Sequence, residues 1–353
     1  MAKQVKIKEI AALAGVSAGT VDRILHGRGN VSAAKRAAVE EVLARVGYKF
    51  NLHTSAVSLK HGYRIIITTP QADEGEYWGS IIGGIQKALE EYSDIRIEPD
   101  WCPYDQFDAA SCQEVFAAVP EQSPDGVIIG PTFEQETLRL CRELDRRNIP
   151  YVFVDADIPD ANPVAVFAAD QEACGRLLGH LVLPILREKG KLAVFGIKRK
   201  GPGQASSSAS RGKGLDAFLQ DNGLQDRTLS GSITLPAGPE SEKEAAAFFK
   251  SHPEVRAVAV LNSRGHLIAD ILRRQGIDHI PVISFDLTRG NIRCLGDGSI
   301  SVLLCQRPEL QGFSALKSLI SYLLYRNRDV RHVLPIDILV KENLPYYREV
   351  IEF

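Results

Sequence analysis

The sequence predicts an all-α helix-turn-helix domain followed by a two-lobed α/β domain with two Rossmann-like parallel sheets. Three observations support this fold class. Residues 7–25 show the spacing of two short helices across a tight turn. From residue 64 onward, strand-like apolar runs alternate with amphipathic helical stretches. The length of 353 residues exceeds one typical domain and allows two or three cores.

The segment 7–25 supplies what a tightly crossed helical pair needs. Ala11 is small enough to let the helices approach closely, and Gly15 can adopt the left-handed turn that a Cβ penalises. Ser17 lies where the second helix needs an N-cap oxygen. Five apolar residues are expected to be buried by the pair: Ile10, Leu13, Val16, Val21 and Ile24. This arrangement favours a helix placed in the DNA major groove.

A third helix and a linker complete the N-terminal part. Ser32 would cap a helix over residues 32–46, which closes a small bundle with the first two. We therefore assign a helix-turn-helix DNA-binding domain to residues 1–50 and a hinge linker to 51–61. The α/β domain then occupies residues 62–353.

Charge separates the head from the body. Residues 1–60 contain ten Lys or Arg and four Asp or Glu, which gives a net charge of +6. The whole chain has a net charge of −2, so the remainder carries −8. A basic head on an acidic body suits a protein that holds DNA phosphates with one end only.

The sequence carries no membrane or metal signal. No apolar run reaches the ~18 residues of a membrane span, and the first residues lack the apolar core of a secretory signal. The six cysteines show neither a C-x-x-C pair nor a metal-binding spacing with histidine. We therefore expect a cytoplasmic protein with free, buried thiols, no cofactor and no bound metal.

The body shows a regular alternation of elements. Strands are predicted at 65–70, 95–99, 127–131, 151–155, 165–170, 192–197, 255–261, 282–286, 301–306 and 333–341. Helices are predicted at 78–92, 108–118, 134–147, 171–188, 210–221, 264–275 and 309–326. Alternation of this kind produces parallel sheets covered by helices on both faces. A single open sheet rarely has so many strands, so two lobes with a cleft between them are favoured.

Known catalytic motifs are missing from the sequence. GKG at 212–214 follows a strand, but Ser207 stands where a P-loop needs its first glycine, and Gly214 where it needs Ser or Thr. No dinucleotide-binding glycine pattern, nucleophile elbow or zinc-binding histidine pair is present. Asp155 and Asp157 are two residues apart, which is a poor spacing for paired catalysis. We therefore expect no enzyme activity.

Head, linker and body together resemble the LacI family of bacterial transcription regulators. The head is similar in AGVSAGTVDRIL followed by HGRGNVS. The body is similar in VFAADQEACGRLLGHL (166–181), SRGKGLDAF (210–218), VISFD (282–286), CQRPELQG (305–312) and LPIDILVKEN (334–343). The resemblance spans the whole chain and implies a periplasmic-binding-protein-like effector domain. It also implies a homodimer, because two heads must meet two half-sites of a near-palindromic operator.

The resemblance further implies that the chain crosses between the lobes three times. The N-terminal lobe would take residues 62–168 and 290–325. The C-terminal lobe would take residues 169–289 and 326–353.

In the family the second helix of the head lies in the major groove. Its outward positions here are Ala18, Gly19, Asp22 and Arg23. Arg23 can make a bidentate contact to guanine, and Asp22 can either accept from a cytosine amine or orient Arg23. Phosphate contacts are expected from the helix start at Ser17 and from Thr20, Ser32, Lys35 and Arg36.

The hinge departs from the family pattern. After Asn51 the family usually places a leucine wedge for the minor groove six residues on, where this chain has Val57. Leu59 lies two residues further. Either residue can serve as the wedge, or this hinge bends DNA less.

An effector site is expected between the lobes. Tyr77 and Trp78 begin the first helix of the body, where the family keeps aromatic residues that line the cleft. Four polar residues end predicted strands at the same edge, and Arg211 opens a helix. The predicted effector-binding residues are Tyr77, Trp78, Asp170, Arg211, Asn262, Asp286 and Gln306.

These features predict a DNA-binding transcriptional regulator, a repressor, whose operator affinity depends on a small ligand. A neutral or acidic sugar is the expected ligand, and Arg264 adds positive charge near the opening. Two alternatives remain: a regulator that senses a non-sugar metabolite, and a solute-binding protein without a regulatory role. The second would require a signal peptide and no DNA-binding head. The sequence does not determine whether the ligand releases DNA or promotes its binding.

Overall fold

The computed structural model describes residues 7–25, 31–45, 62–188, 190–198, 206–235, 238–328 and 331–351. The helices are α1 Ile7–Leu13, α2 Ala18–Leu25, α3 Ala33–Arg45, α4 Tyr77–Glu91, α5 Ala109–Ala118, α6 Glu134–Arg146, α7 Gln171–Arg187, α8 Ser206–Asp221, α9 Pro239–Ser251, α10 Gly265–Arg274, α11 Arg289–Asp297, α12 Pro308–Tyr325 and α13 Leu344–Ile351. The strands are β1 Tyr63–Thr68, β2 Ile97–Trp101, β3 Gly126–Ile129, β4 Tyr151–Val154, β5 Ala165–Ala169, β6 Lys191–Lys198, β7 Thr228–Thr234, β8 Val255–Val260, β9 Val282–Phe285, β10 Val302–Cys305, β11 His332–Leu334 and β12 Asp337–Leu339. The fold class is the predicted one: a helical head and a two-lobed α/β body.

The head folds around the predicted turn. Gly15 has φ +64°, and the N–H of Val16 donates to the carbonyl of Ala11 at 3.0 Å, which closes the turn. A small core joins the three helices and consists of Ile10, Ala11, Val21, Ile24, Val39 and Val42. The expected burial of Leu13 is wrong: it is 53% exposed. α1 is only two turns long, and its buried contacts come from Ile10 and Ala11 rather than from Leu13 at its end.

Each lobe contains one six-stranded sheet. The strand order is β11-β5-β4-β3-β1-β2 in the N-terminal lobe and β12-β10-β9-β8-β6-β7 in the C-terminal lobe. All pairs are parallel except β10 with β12, which is antiparallel. The two orders match strand by strand. The two lobes therefore repeat one topology in five strands, whereas the sixth is parallel in the N-terminal sheet (β11) and antiparallel in the C-terminal sheet (β12). The carboxyl ends of β1–β4 and of β6–β9 face the same cleft.

The sheet order corrects the expected lobe boundaries in two places. Residues 290–305 contain most of α11 and β10, which pack with the C-terminal lobe and not with the N-terminal one. The predicted strand 333–341 is in fact two strands: β11 joins the N-terminal sheet and β12 joins the C-terminal sheet. Pro335 lies between them and has no N–H for a continuous ladder. The chain crosses between lobes after β5, after β10 and after β11.

Four elements were not predicted from the sequence: β7, α9, α11 and α13. β7 has the sequence TLSGSIT at a sheet edge, where small and polar residues replace an apolar run. All six cysteines are free, and five are buried, with Cys102 partly exposed. Within the described ranges, no helix is long and apolar enough to cross a membrane.

One pair of helices in each lobe packs at backbone distance. In the N-terminal lobe, a Cβ on Gly84 of α4 would overlap the Glu309 carbonyl of α12, and one on Gly312 would overlap the Ile81 carbonyl. In the C-terminal lobe the corresponding helices α7 and α8 meet through glycines in the same way. A Cβ on Gly175 would overlap the Arg211 carbonyl. These contacts fix the starts of the four helices that border the cleft.

Gly84→Ala should therefore destabilise the N-terminal lobe by about 1–3 kcal/mol, because the new methyl group forces α4 and α12 apart. Gly83→Ala is the matched control, since its Cβ meets nothing within 4 Å. That change should leave stability unchanged or raise it by up to about 1 kcal/mol, because alanine favours the helix. Urea unfolding of both variants measures the difference. Equal effects at the two positions would contradict the close helix contact.

Candidate functional site

The cleft between the lobes holds a cavity of about 250 Å³. Its N-terminal wall is aromatic and carries Tyr77, Trp78 and Phe107. The rings of Tyr77 and Trp78 meet edge to face with centroids 5.4 Å apart, and both residues are buried. Gly130 lets Trp78 lie against β3, because a Cβ there would be 2.5 Å from the indole ring. Packing therefore holds Tyr77 and Trp78 in place within this wall.

Six of the seven predicted effector-binding residues line this cavity. They are Tyr77, Trp78, Arg211, Asn262, Asp286 and Gln306. Asp170 does not, and its assignment to the cleft is wrong. Its carboxylate accepts from the N–H of Ala173 at 2.9 Å as the N-cap of α7, and its side chain is exposed at a different pocket, which Arg331 and His332 also line. A carboxylate at a strand end can cap the next helix or bind a ligand, and here it caps.

Three glutamine amides join the lobes behind the cavity. Gln171 donates to the Asp155 carbonyl and to the Gln306 side chain, both at 2.9 Å. Gln311 donates to the Gln306 carbonyl at 2.9 Å and accepts from the Asp155 N–H at 2.8 Å. Gln306 in turn donates to both oxygens of Asp286 at 3.1 and 3.0 Å. Because all three amides are buried and bonded, they hold the crossovers in one arrangement.

Two buried aspartates occupy equivalent places in the two lobes. Asp155 follows β4 and Asp286 follows β9, and both have left-handed backbones with φ +73° and +63°. Tyr77 donates its hydroxyl to Asp155 at 2.7 Å. Burial, with the nearby Asp155, raises the pKa of Tyr77 well above its usual value. Burial also raises the pKa of Asp286 to about 7, although Arg211 and Gln306 oppose the shift.

Arg211 is fixed in the wall of the C-terminal lobe. Its guanidinium donates to the side chain of Gln171 and to the Leu261 carbonyl, both at 2.8 Å. It also lies 3.9 Å from the centroid of the Phe285 ring, a cation–π arrangement. Among the described residues, no carboxylate forms an ion pair with Arg211 within 4 Å. A buried guanidinium of this kind is a preorganised donor for ligand oxygens.

The opening of the cleft is bordered by Asn262 and Arg264. Asn262 accepts from the Arg264 N–H at 3.0 Å, which shapes the loop after β8. The positive charge of Arg264 is already matched, because its guanidinium lies 3.5 Å from the carboxylate of Glu76 in the other lobe.

Several residues of the site were not identified from the sequence. Asp155 was considered only as half of a catalytic pair, and the glutamines Gln171 and Gln311 gave no signal because glutamine is common on helix surfaces. Four serines of the C-terminal wall were also missed: Ser207, Ser208, Ser230 and Ser232. A signal for Asp155 was available, since it ends a strand in the same way as Asp286.

The predicted DNA-contacting residues of the head are mostly at its surface. Gly19, Arg23, Ser32, Lys35 and Arg36 are exposed, and Ala18 is half-buried. Arg23 lies along its own helix, with its Nε donating to the Gly19 carbonyl at 3.1 Å. α2 therefore presents a shallow surface with few long side chains.

The start of α2 is held by two hydroxyl groups. The Ser17 hydroxyl accepts from the Thr20 N–H at 3.2 Å and bonds the Thr20 hydroxyl at 2.9 Å. Thr20 is buried and its hydroxyl supports the cap that Ser17 provides, while its phosphate contact stays a prediction. The side chain of Asp22, together with Val57 and Leu59 of the hinge, lies outside the described residues.

No cluster of three or more potential metal ligands occurs in the described part of the chain. The carboxylates of the cleft face amides, a hydroxyl and a guanidinium. These partners suit oxygen-rich organic ligands.

The head and the body each match a known protein family. A model of bacterial regulatory proteins of the lacI family matches residues 6–51, and a periplasmic binding protein domain matches residues 65–326. The chain belongs to the LacI family. This LacI-family chain is 30% identical to a solved chain from Bacteroides fragilis assigned to the LacI transcriptional regulators, with a TM-score of 0.77. The match covers 81% of this chain and 100% of that one.

This chain is also similar, at lower identity, to two other proteins. The HTH-type transcriptional regulator DegA of Bacillus subtilis (strain 168) is 25% identical over 77% of this LacI-family chain and 81% of its own length. GanP, a glucose-galactose binding protein from Geobacillus stearothermophilus, is 21% identical, with a TM-score of 0.69, and shares the fold over 81% of this chain and 100% of its own. The protein is a DNA-binding regulator with a ligand-binding domain.

The pKa of Asp286 predicts a pH dependence. Because the native state holds the proton up to a pH of about 7 and the unfolded chain releases it near 4, the free energy of unfolding should fall as pH rises through this window. The expected loss is about 2–4 kcal/mol. Asp286→Asn cannot ionise and should lose this part of the pH dependence. Urea unfolding from pH 4.5 to 8 measures it.

Asp170→Asn is the control for this experiment. Asparagine can also cap α7, so this variant should keep the pH dependence of the wild type. Identical profiles for Asp286→Asn and the wild type would show that Asp286 does not titrate as described.

Proposed function

We propose that this protein is a homodimeric repressor that binds a near-palindromic operator and whose DNA affinity is set by a sugar or sugar derivative in the cleft. The observation that carries the proposal is the composition of the cavity. It combines aromatic faces with two buried carboxylates, the buried amide of Gln306 and a buried guanidinium. Aromatic faces suit sugar C–H groups, and the polar set can bond several hydroxyls at once.

The charge of the cavity supports a neutral polyol as the first ligand to test. Asp155 and Asp286 supply acceptors, Arg211 supplies donors, and Arg264 is matched by Glu76 across the opening. An anionic ligand would have to approach both aspartates. GanP, which shares the fold, is a glucose-galactose binding protein, and this supports a sugar as the ligand here.

The proposed coupling between cleft and DNA runs through the crossovers. Ligand atoms that bond Asp286 or Gln306 would touch the same amides that join the lobes. A ligand-dependent shift in how the two closed lobes are oriented would then move the N-terminal lobes of the dimer, to which the heads are linked. A coupling of about 1–3 kcal/mol would change operator affinity by about 5- to 150-fold.

The DNA-reading residues can be tested separately from those that contact phosphates. Arg23→Ala should cost about 1–3 kcal/mol on the preferred operator and less on other duplexes, because Arg23 is proposed to contact a base edge. Lys35→Ala should weaken binding to all duplexes and reduce the salt slope by about 1, because Lys35 is proposed to contact a phosphate. Fluorescence anisotropy with a duplex selected from a random library measures both.

Arg45→Ala is the control, since Arg45 is exposed at the end of α3, away from the proposed contacts. It should change neither the affinity nor the salt slope. If Arg23→Ala weakens all duplexes equally, the proposed base contact is wrong. If no duplex is bound in a salt-dependent way, the proposed DNA-binding function fails.

The ligand class can be found by a thermal-shift screen of neutral and acidic sugars against the full chain. A ligand that stabilises the wild type should lose most of its effect in Asp286→Ala and Arg211→Gln, because each variant removes buried partners of its hydroxyls. Asp170→Asn should retain the full shift, since Asp170 caps a helix outside the cavity. An equal shift in all four proteins would place the ligand elsewhere.

A further inference from the structure

The two lobes also touch at the opening of the cleft, through residues outside the crossovers. The N–H of Arg289, the first residue of α11, donates to the carbonyl of Gly75 in the other lobe at 2.8 Å. The first N–H groups of a helix have no partner within the helix. Here one of them is satisfied only across the cleft, and opening would return it to water.

Opposite charges line the two sides of this contact. The N-terminal lobe presents Asp73, Glu74 and Glu76, and the C-terminal lobe presents Arg264 and Arg289. Arg264 lies 3.5 Å from the carboxylate of Glu76, and Arg289 donates to the Glu74 carbonyl at 3.4 Å. The positive end of the α11 dipole faces the same acidic loop, which adds to the attraction.

The acidic loop is rigid before it meets the other lobe. Gly75 has φ +84°, which directs its carbonyl toward α11. The N–H of Glu76 donates to the Asp73 carbonyl at 3.2 Å. Gly79 lets that carbonyl lie against α4, because a Cβ on Gly79 would overlap it. Contacts within the N-terminal lobe therefore fix most of the shape of this acidic loop before α11 meets it.

We propose that Glu76, Arg264 and the N-terminus of α11 form a clasp that holds the cleft closed when no ligand is bound. The clasp uses only groups of the protein itself. Its strength depends on salt, because the two side chains are about one-quarter exposed. A ligand then enters by way of the open minority of molecules and is retained when the clasp closes again.

Electron spin resonance can measure closure in the full chain without ligand or DNA. Spin labels on Ser93→Cys and Asn222→Cys report the distance between lobes, since both residues are exposed at the ends of α4 and α8. Cys102→Ser removes the one native thiol that is not buried. The wild type should show mainly the short, closed distance.

Glu76→Gln and Arg264→Gln should each lower the ratio of closed to open molecules by about two- to fivefold, the range expected of one partly exposed ion pair. The double variant should open no further than Arg264→Gln alone, because that variant already removes the ion pair with Glu76. Arg264→Gln also removes the contact of Arg264 with the Phe107 ring, 5.7 Å from its centroid. High salt should open the wild type to a similar degree.

Arg274→Gln is the matched control, because Arg274 pairs with Glu242 at 3.0 Å within the C-terminal lobe. It should leave the distance unchanged. The clasp is overturned if the wild type is mainly open without ligand, or if the Glu76 and Arg264 variants keep its distances. These two outcomes leave the proposed DNA binding and sugar binding untouched, because the experiment contains no DNA and no sugar.

Discussion

The arrangement of both lobes depends on the buried amide network of Gln171, Gln306 and Gln311. A side-chain amide can donate and accept at once, and each of these three does both. Gln171 and Gln311 bond across the lobes, and Gln306 links Gln171 to Asp286. Leaving any one of them unbonded in this buried place would cost about 1–3 kcal/mol. The network therefore permits few relative positions of the lobes, and it holds both aspartates of the cavity in place.

The repeated topology explains why the site has two similar halves. In each lobe the strand next to the crossover strand ends in a left-handed aspartate, and a glycine-packed helix pair borders the cleft. Asp155 and Asp286 are thus one structural position used twice. The halves differ in what accompanies the aspartate. The N-terminal half supplies aromatic rings, and the C-terminal half supplies a guanidinium and small hydroxyl side chains.

Periodicity predicted the main elements, and strand ends predicted three cavity residues, Asn262, Asp286 and Gln306. Arg211 was predicted from the start of a helix, and Tyr77 and Trp78 were predicted from the resemblance to the family. Prediction failed where the signal was ambiguous. A strand-end carboxylate such as Asp170 has the same local sequence whether it caps a helix or binds a ligand. The split at Pro335 depends on which sheet each half joins, and this is a long-range choice. Leu13 was misplaced because a short helix leaves little information on which face is buried.

The short segment that joins β11 to β12 also limits how the protein can move. β11 is bonded to one sheet and β12 to the other, with only Pro335 and Ile336 between them. Three peptide units span at most about 10 Å, and proline removes one degree of freedom from this span. The lobes therefore cannot slide apart as separate bodies. The segment acts as a short tether, so any opening of the cleft has to keep Leu334 and Asp337 within this span.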